Sequence, residues 1–143
     1  MENQAGSVQR CLLVRAGGQE CALPLERVRR VVRALQVHPL PGAAPELLGL
    51  AEYGGEPLPV LDLARLLAAP PAAAGAAAVT VIVAAGPSGA TELVGLAADA
   101  ALDIAEAPLV GLPGADRGLV AGEALVDGRP VRVLDLGMLG AAS

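Results

Sequence analysis

Large aromatic side chains are almost absent from this chain, which has no phenylalanine, no tryptophan and a single tyrosine, Tyr53, among 143 residues. Small and branched side chains must therefore fill its core, which favours thin, closely packed β layers. The formal net charge is −5. A chain that is acidic overall and has no rings to stack on bases is not expected to bind nucleic acid.

Lysine is also absent, because all ten basic residues are arginine. This excludes a P-loop, a Schiff-base mechanism and pyridoxal phosphate chemistry, each of which needs a lysine amine. The only histidine, His38, has no cysteine or carboxylate at metal-ligand spacing, so we expect neither a metal site nor general-base catalysis from it. The three serines have no accompanying base. We therefore predict a protein that is not an enzyme and that has no catalytic residue, no metal and no cofactor.

The chain shows no sign of export or of membrane insertion. Residues 1–10 are polar and lack the apolar segment of a signal peptide. The longest uncharged run, residues 66–91, is long enough to cross a bilayer, but prolines and glycines interrupt it and its middle is alanine-rich. We interpret it as a linker followed by a strand rather than as a membrane span. The predicted location is cytoplasmic, without direct membrane insertion.

The two cysteines flank a predicted hairpin turn at Gly17-Gly18. In a two-residue turn Cys21 lies opposite Val14 and Cys11 lies opposite position 24, so the two thiols do not meet. We expect both cysteines to be reduced and buried.

A repeated segment organises the rest of the sequence. Residues 55–66 read GEPLPVLDLARL, and residues 128–139 read GRPVRVLDLGML, 73 positions later. Gly49 and Gly122 match at the same offset, and the LPGA of residues 40–43 returns at 112–115. We interpret the chain as two copies of one β-rich unit. The predicted arrangement is one domain over 1–143, with repeat one at about 8–68, a linker at 69–78 and repeat two at about 79–140.

Each repeat is predicted to contain about five strands with short helices, which indicates a mainly β protein built as two small barrels. A short helix is expected from Pro24, because Leu25, Val28 and Val31 have helical spacing. Its β-branched residues suggest that it gives way to a strand by about Val31. Other predicted segments are strands at 9–16, 19–23, 57–61, 79–85, 92–97, 119–126 and 130–134, a helix at 62–68 and a helical stub at 138–139. Residues 46–53 lead into the turn at Gly54-Gly55, and residues 100–106 are predicted to be an extended or mixed stretch. Val60, Leu61, Val133 and Leu134 are the predicted core of the repeated strands.

The repeats each contribute one aspartate, Asp62 and Asp135. A duplicated fold with one aspartate per copy suggests an aspartic protease dyad, but those enzymes need a small hydroxyl residue and a glycine after each aspartate. Here Leu63 and Leu136 follow. We therefore predict that both aspartates are helix N-caps.

One cluster of charge is present, formed by Arg27, Arg29, Arg30 and Arg33. In a helix, Arg29 and Arg33 share one face, as do Arg27 and Arg30. The cluster is either a solvated face with Glu26 as a local partner or a docking patch for an acidic protein surface, because arginine favours bidentate contacts with carboxylates.

A set of short motifs occurs in order along the chain: CALPL at 21–25, Val28, Val31, Leu40-Pro41, Gly49-Leu50, residues 55–63 and GLAAD at 95–99. Taken together, these motifs resemble the CheW-like family over nearly the whole chain. The resemblance implies two intertwined five-stranded β-barrels related by a pseudo-twofold, with strands exchanged between them and an apolar seam at their junction. It also implies a non-enzymatic adaptor that couples the cytoplasmic tip of a chemoreceptor to the regulatory domain of a CheA-type histidine kinase, in association with receptor arrays.

By position, the resemblance assigns partner binding to Val28, Arg30, Val31, Gly49, Glu52, Tyr53, Gly54 and Gly55. Two departures fall within this set. The family commonly has Asn-Leu-Arg-Gly where this chain has residues 52–55, and an acid where it has Arg30. They predict a divergent adaptor in which one partner contact, that to the kinase, is weakened. The alternatives are a structural or self-assembling β-barrel interaction protein outside chemotaxis and, less favoured, an enzyme.

Overall fold

The computed structural model describes residues 8–33, 35–68, 78–87, 91–109, 112–114 and 118–139. Within these residues the chain forms ten strands and one α-helix. Their bounds are β1 Gln9–Ala16, β2 Gln19–Pro24, β3 Val28–Arg33, β4 Leu47–Tyr53, β5 Glu56–Asp62, α1 Leu63–Leu66, β6 Val79–Ala85, β7 Glu92–Ala98, β8 Ala100–Ala107, β9 Val120–Val126 and β10 Arg129–Leu134. Single 3-10 turns lie at Leu25–Arg27 and Leu136–Met138. The predicted linker lies outside the described residues except for its last residue.

The described strands form two five-stranded sheets, which we call sheet A and sheet B. The strand order is β8-β1-β2-β10-β9 in sheet A and β3-β6-β7-β5-β4 in sheet B. The two orders are equivalent: when each strand of sheet A is replaced by the strand five places earlier or later in the chain, such as β8 by β3 and β1 by β6, the order of sheet B results. Each sheet therefore combines an N-terminal hairpin from one half of the chain with three strands from the other half. The prediction of a mainly β, intertwined and duplicated fold is confirmed, although the ladders of the described strands form open sheets rather than closed barrels.

Local geometry repeats with the sequence. The amide of Asp62 donates to the carbonyl oxygen of Glu46 at 2.8 Å, and the amide of Asp135 donates to Leu119 at 2.7 Å. Gly49 and Gly122 both have φ of 148° and both lie at register shifts. This conformation is open to glycine and strained for other residues, which explains why both repeats carry glycine here.

Three apolar clusters follow from the alternation of side chains along the strands. The largest is the seam between the sheets, where Val14 and Leu23 of sheet A pack with Val81 and Leu96 of sheet B. The second cluster lies on the other face of sheet A, and the third on the other face of sheet B. Strands β1 and β6 are buried on both faces, which explains their almost continuous apolar sequences.

The predicted core is confirmed at three of its four positions. Val60, Val133 and Leu134 are each about 1% exposed. Leu61 is only half-buried and packs against the seam from its margin. The repeated strands are thus matched in sequence but not in the burial of this leucine.

The predicted helix after Pro24 is wrong beyond one turn, because β3 begins at Val28. In the ladder between β3 and β6, Val28 lies opposite Val83, Arg30 opposite Ile82 and Val31 opposite Val81, with a register shift at Arg29. The bulge adds one residue to β3 and so places Val28 and Val31 on the same face. Two apolar residues three positions apart on one face are typical of a helix, but here a bulged strand produces the same arrangement.

The two aspartates cap helical turns as predicted. Asp62 accepts a hydrogen bond from the amide of Ala64 at 3.1 Å, and Asp135 accepts one from Gly137 at 3.0 Å. The segments they cap are shorter than expected: α1 is four residues long, and the turn after Asp135 is a 3-10 turn of three.

The prediction for the cysteines is also confirmed. Both are free and buried, with Cys21 opposite Val14 and Cys11 opposite Pro24 in the β1–β2 ladder.

Candidate interaction surface

Strand β3 carries three of the residues predicted to bind a partner, and it is an edge strand of sheet B. Val28 and Val31 lie on its seam face, where Val28 is half-buried against the seam and Val31 is 40% exposed. Arg30 is exposed and lies on the opposite face of the strand. The bulge therefore separates the apolar pair from the charge that was predicted to act beside it.

The structure divides the arginine cluster into structural and free members. Arg27 Nη1 donates to the carbonyl oxygens of Ala84 and Gly86 at 3.0 and 2.8 Å, which attaches the turn after β2 to the end of β6. Arg29 donates to the carbonyl oxygen of Glu26 at 2.8 Å. Neither Arg30 nor Arg33 has an ion-pair partner among the described residues. The helical faces expected for this cluster do not exist, since the residues from 28 onward form a strand.

The second group of predicted residues lies in the β4–β5 hairpin. Glu52 is exposed, and Tyr53 is half-buried against the cluster on the outer face of sheet B. Gly54 and Gly55 form the turn, with φ of 63° and 83°, and an added Cβ would meet no atom within 4 Å at either position. The hairpin tip thus has room for side chains that this chain does not carry.

Gly49 differs from the other predicted contact residues because it is buried. An added Cβ would overlap the carbonyl oxygen of His38, whose backbone pairs with that of Leu50. Gly49 therefore shapes the fold at this surface and offers no side chain to a partner.

The two groups belong to opposite edges of sheet B, yet they share one apolar cluster. Val32 of β3 and Tyr53 of β4 both pack against the cluster that contains Val60, Ile82 and Ala97. Val28 and Val31, however, lie on the seam face of β3 and not on the face of this cluster.

A groove formed by sheet A and its neighbouring turns was missed by sequence reasoning. It has a volume of about 430 Å³ and lies beside the turn Leu25–Arg27, with Pro24, Arg27, Leu109, Ala121, Leu134 and Leu136 among its lining residues. These residues come from distant parts of the chain. No local pattern could have grouped them, and the lining also includes the polar residues Gln9, Glu26 and Asp135.

The described residues offer little reactive chemistry. Burial raises the pKa of the Cys11 thiol, and burial raises that of Cys21 to about 12, so both thiols stay protonated at neutral pH. In the part of the chain that the structure describes, no three His, Cys, Asp or Glu side chains are grouped to hold a metal ion. Nor does any helix there have the length and apolarity needed to cross a bilayer.

Comparison with known families decides the assignment. The family model described as the CheW-like domain matches residues 10–142. This chain belongs to the CheW-like family. CheW-like proteins are non-enzymatic scaffolds or adaptors of chemotaxis, so the prediction that the chain is not an enzyme is confirmed by its family.

A solved CheW structure has the same fold. The scaffolding protein CheW of Thermoanaerobacter tengcongensis is similar with a TM-score of 0.78 and 19% sequence identity, over 96% of this chain and 95% of that one. No curated protein sequence matches the chain. At this identity the likeness shows the shared fold, and the partners of this CheW-like chain have to be argued from its own surface.

Proposed function

We propose that this CheW-like chain couples a chemoreceptor to a CheA-type histidine kinase at the cytoplasmic tips of receptor arrays. The observation that carries the proposal is the edge of sheet B, where exposed Val31 and half-buried Val28 share one face. A helical receptor tip binds by inserting apolar anchors into such a surface. Free charges near it set which partner is admitted and how fast it binds. Arg33 supplies one on the same face of β3, and Arg30 supplies one on the opposite face of the strand.

Receptor binding is tested best at Val31, because its exposure lets a charged side chain be introduced without filling the core. We expect Val31→Asp to abolish binding of a receptor-tip helical hairpin in calorimetric titration. Val28→Asp should do the same, but Val28 packs against the seam and its variant has to be shown folded by circular dichroism. Leu93→Asp is the matched control, since Leu93 is also 40% exposed and lies on a strand of the same sheet.

These measurements distinguish a wrong function from a wrongly assigned binding surface. If wild-type protein binds neither the receptor tip nor the kinase regulatory domain, the proposed function is wrong. If wild type binds and folded Val31→Asp binds equally well, the function stands but the surface is misassigned. Arg30→Glu, which introduces the sign that the family commonly has there, should shift the preference between the two partners, and raising the ionic strength should shrink that shift.

The kinase contact is proposed to be the weaker one, because Gly54 has no side chain where the family commonly has arginine. The turn has space for that side chain, although a left-handed backbone costs a non-glycine residue about 1–2 kcal/mol. We expect Gly54→Arg to increase affinity for the kinase regulatory domain and Gly55→Arg, in the same turn, to leave it unchanged. Equal affinity of wild type and Gly54→Arg would contradict the weakened contact.

A further inference from the structure

The duplicated fold has two equivalent edge strands that carry opposite charge. Strand β3 is an edge of sheet B and β8 is an edge of sheet A, and they are related by the 73-residue offset of the repeats. At that offset Arg30 corresponds to Asp103, Arg33 to Glu106 and Val31 to Ile104. Strand β3 has three arginines and no acid, whereas β8 has two acids and no base.

The correspondence extends to the direction of the side chains. Both strands have a register shift just before the first of these charges, at Arg29 in β3 and at Leu102 in β8. Opposed residues in a ladder share a face, so Arg30 lies on the face of Ile82 and Asp103 on the face of Leu13, each toward the outer cluster of its own sheet. Val31 and Ile104 both lie on the seam face. The two edges therefore have the same shape and opposite sign.

Both edges are accessible, and Arg30 and Arg33 of β3 form no ion pair among the described residues. Val31 is 40% and Ile104 is 47% exposed. Asp103 accepts a hydrogen bond from the amide of Ile104 at 2.8 Å, and Arg10 lies across the ladder from Glu106. No ion pair of either acid is formed among the described residues.

Strand β8 also borders a cleft of about 840 Å³ that contains apolar surface. Its lining includes Leu102 and Ile104 of β8 and Leu125 of β9, together with three acids, Asp103, Glu106 and Asp127, and two arginines, Arg10 and Arg129. Leu125 is 71% exposed. The exposed Val31 of β3 could therefore pack against apolar side chains that lie beside β8.

Charged residues on an edge strand commonly prevent sheets from pairing with one another. That purpose would be met best by the same sign on both edges, because every edge would then repel every other. With opposite signs, β3 repels a second β3 and β8 repels a second β8, while β3 attracts β8. The observed pattern prevents like edges from meeting and favours unlike ones.

We propose that the β3 edge of one molecule docks on the β8 edge of a second copy of this chain. Arg30 and Arg33 then face Asp103 and Glu106 across the contact, and Val31 packs near Ile104 and Leu125. Because the two surfaces differ, each molecule keeps one free edge of each kind and the assembly grows head to tail. A contact made mainly between exposed charged side chains is weak and sensitive to salt.

The test is sedimentation velocity of the purified full chain alone, so its outcome does not depend on receptor or kinase binding. Wild type should sediment faster as its concentration rises at low ionic strength, and this dependence should disappear at high salt. Arg30→Glu with Arg33→Glu makes both edges acidic, and Asp103→Arg with Glu106→Arg makes both edges basic. Each double variant alone should lose self-association, an equimolar mixture of the two should regain it, and the quadruple variant should associate as wild type does.

A charge-matched control removes the effect of net charge. Glu56→Arg with Glu92→Arg changes the total charge as the basic β8 variant does, at exposed positions outside β3 and β8, and it should associate like wild type. Circular dichroism establishes that each variant is folded. Wild type that remains a monomer at every concentration, or folded double variants that fail to associate when mixed, would overturn the proposal and leave the charges with a protective role only.

Discussion

The buried thiols show how position sets the chemistry of a residue in this protein. Cys11 and Cys21 are completely inaccessible, and they lie on opposite faces of sheet A, in the outer cluster and in the seam. Removing a thiolate from water is unfavourable, so burial raises the pKa of Cys21 to about 12 and outweighs the opposing effect of nearby Arg132. Both cysteines therefore act as small apolar side chains at neutral pH.

The raised pKa of Cys21 predicts a loss of stability at alkaline pH. A group whose pKa is higher in the folded protein gives a contribution that is complete below the unfolded pKa, here 9.0, and that declines as pH rises toward 12. The expected decline is about 1.4 kcal/mol per pH unit within this window. We expect the stability advantage of wild type over Cys21→Ala in urea unfolding to be constant from pH 7 to 8 and to shrink from pH 9 to 10.5. Parallel pH dependences of the two proteins would contradict the prediction.

Among the secondary-structure elements, bulges explain more of this fold than helices do. The bulge at Arg29 accompanies the change from an apparent helical pattern to an edge strand, and β8 has a counterpart bulge at Leu102. At Gly49 and Gly122 the chain bends away from regular pairing so that a preceding connection can lie directly against the strand. Positions without a side chain are therefore required at the same place in both repeats.

These glycines give a prediction at the scale of the element. Gly49→Ala should destabilise the protein by more than about 2 kcal/mol, since it combines a strained φ with overlap against the backbone of His38. Gly18→Ala is the control, because Gly18 also has positive φ but no atom within 4 Å of an added Cβ, so strain alone should cost about 1 kcal/mol. Chemical denaturation measures both. Equal losses would show that the close approach to His38 relaxes at no cost.

At the scale of the whole molecule, the exchange of strands makes the two halves of the chain depend on each other. Strand β2 pairs with β10 and strand β5 pairs with β7, both in parallel and both across the repeats. The seam receives side chains from both sheets. Neither half of the sequence contains all the strands of either sheet, so we expect the protein to unfold in one cooperative transition.

Substitutions in the seam test whether the two halves of the chain unfold together. Leu134 is about 1% exposed and lies in the seam cluster, so Leu134→Ala should cost roughly 2–5 kcal/mol. Leu61→Ala, at the equivalent but half-buried position, should cost distinctly less, and Leu125→Ala at a 71% exposed site less than about 0.5 kcal/mol. Calorimetry should show one transition for all three variants. Similar losses at Leu61 and Leu134 would mean that the repeats are buried alike.

The features that the sequence alone determined are those set by nearby residues or by the repetition itself. A diglycine turn fixes which residues face each other across a hairpin, so the separation of Cys11 from Cys21 could be worked out. An aspartate before a leucine-rich turn caps it wherever the turn lies, and a 73-residue echo requires two similar units. The family resemblance depended on the order of these same motifs.

Tertiary structure decided what depends on partners distant in the chain. Apolar residues three positions apart share a face both in a helix and in a bulged strand. Only the ladder with β6, about fifty residues away, selects the strand for Val28–Arg33. The same ladder places Val28 and Val31 on one face and Arg30 on the other. Equivalent leucines in the two repeats differ in burial, and the groove beside the turn Leu25–Arg27 joins residues from separate segments. Both depend on how whole sheets and their connections pack, which no local stretch of sequence specifies.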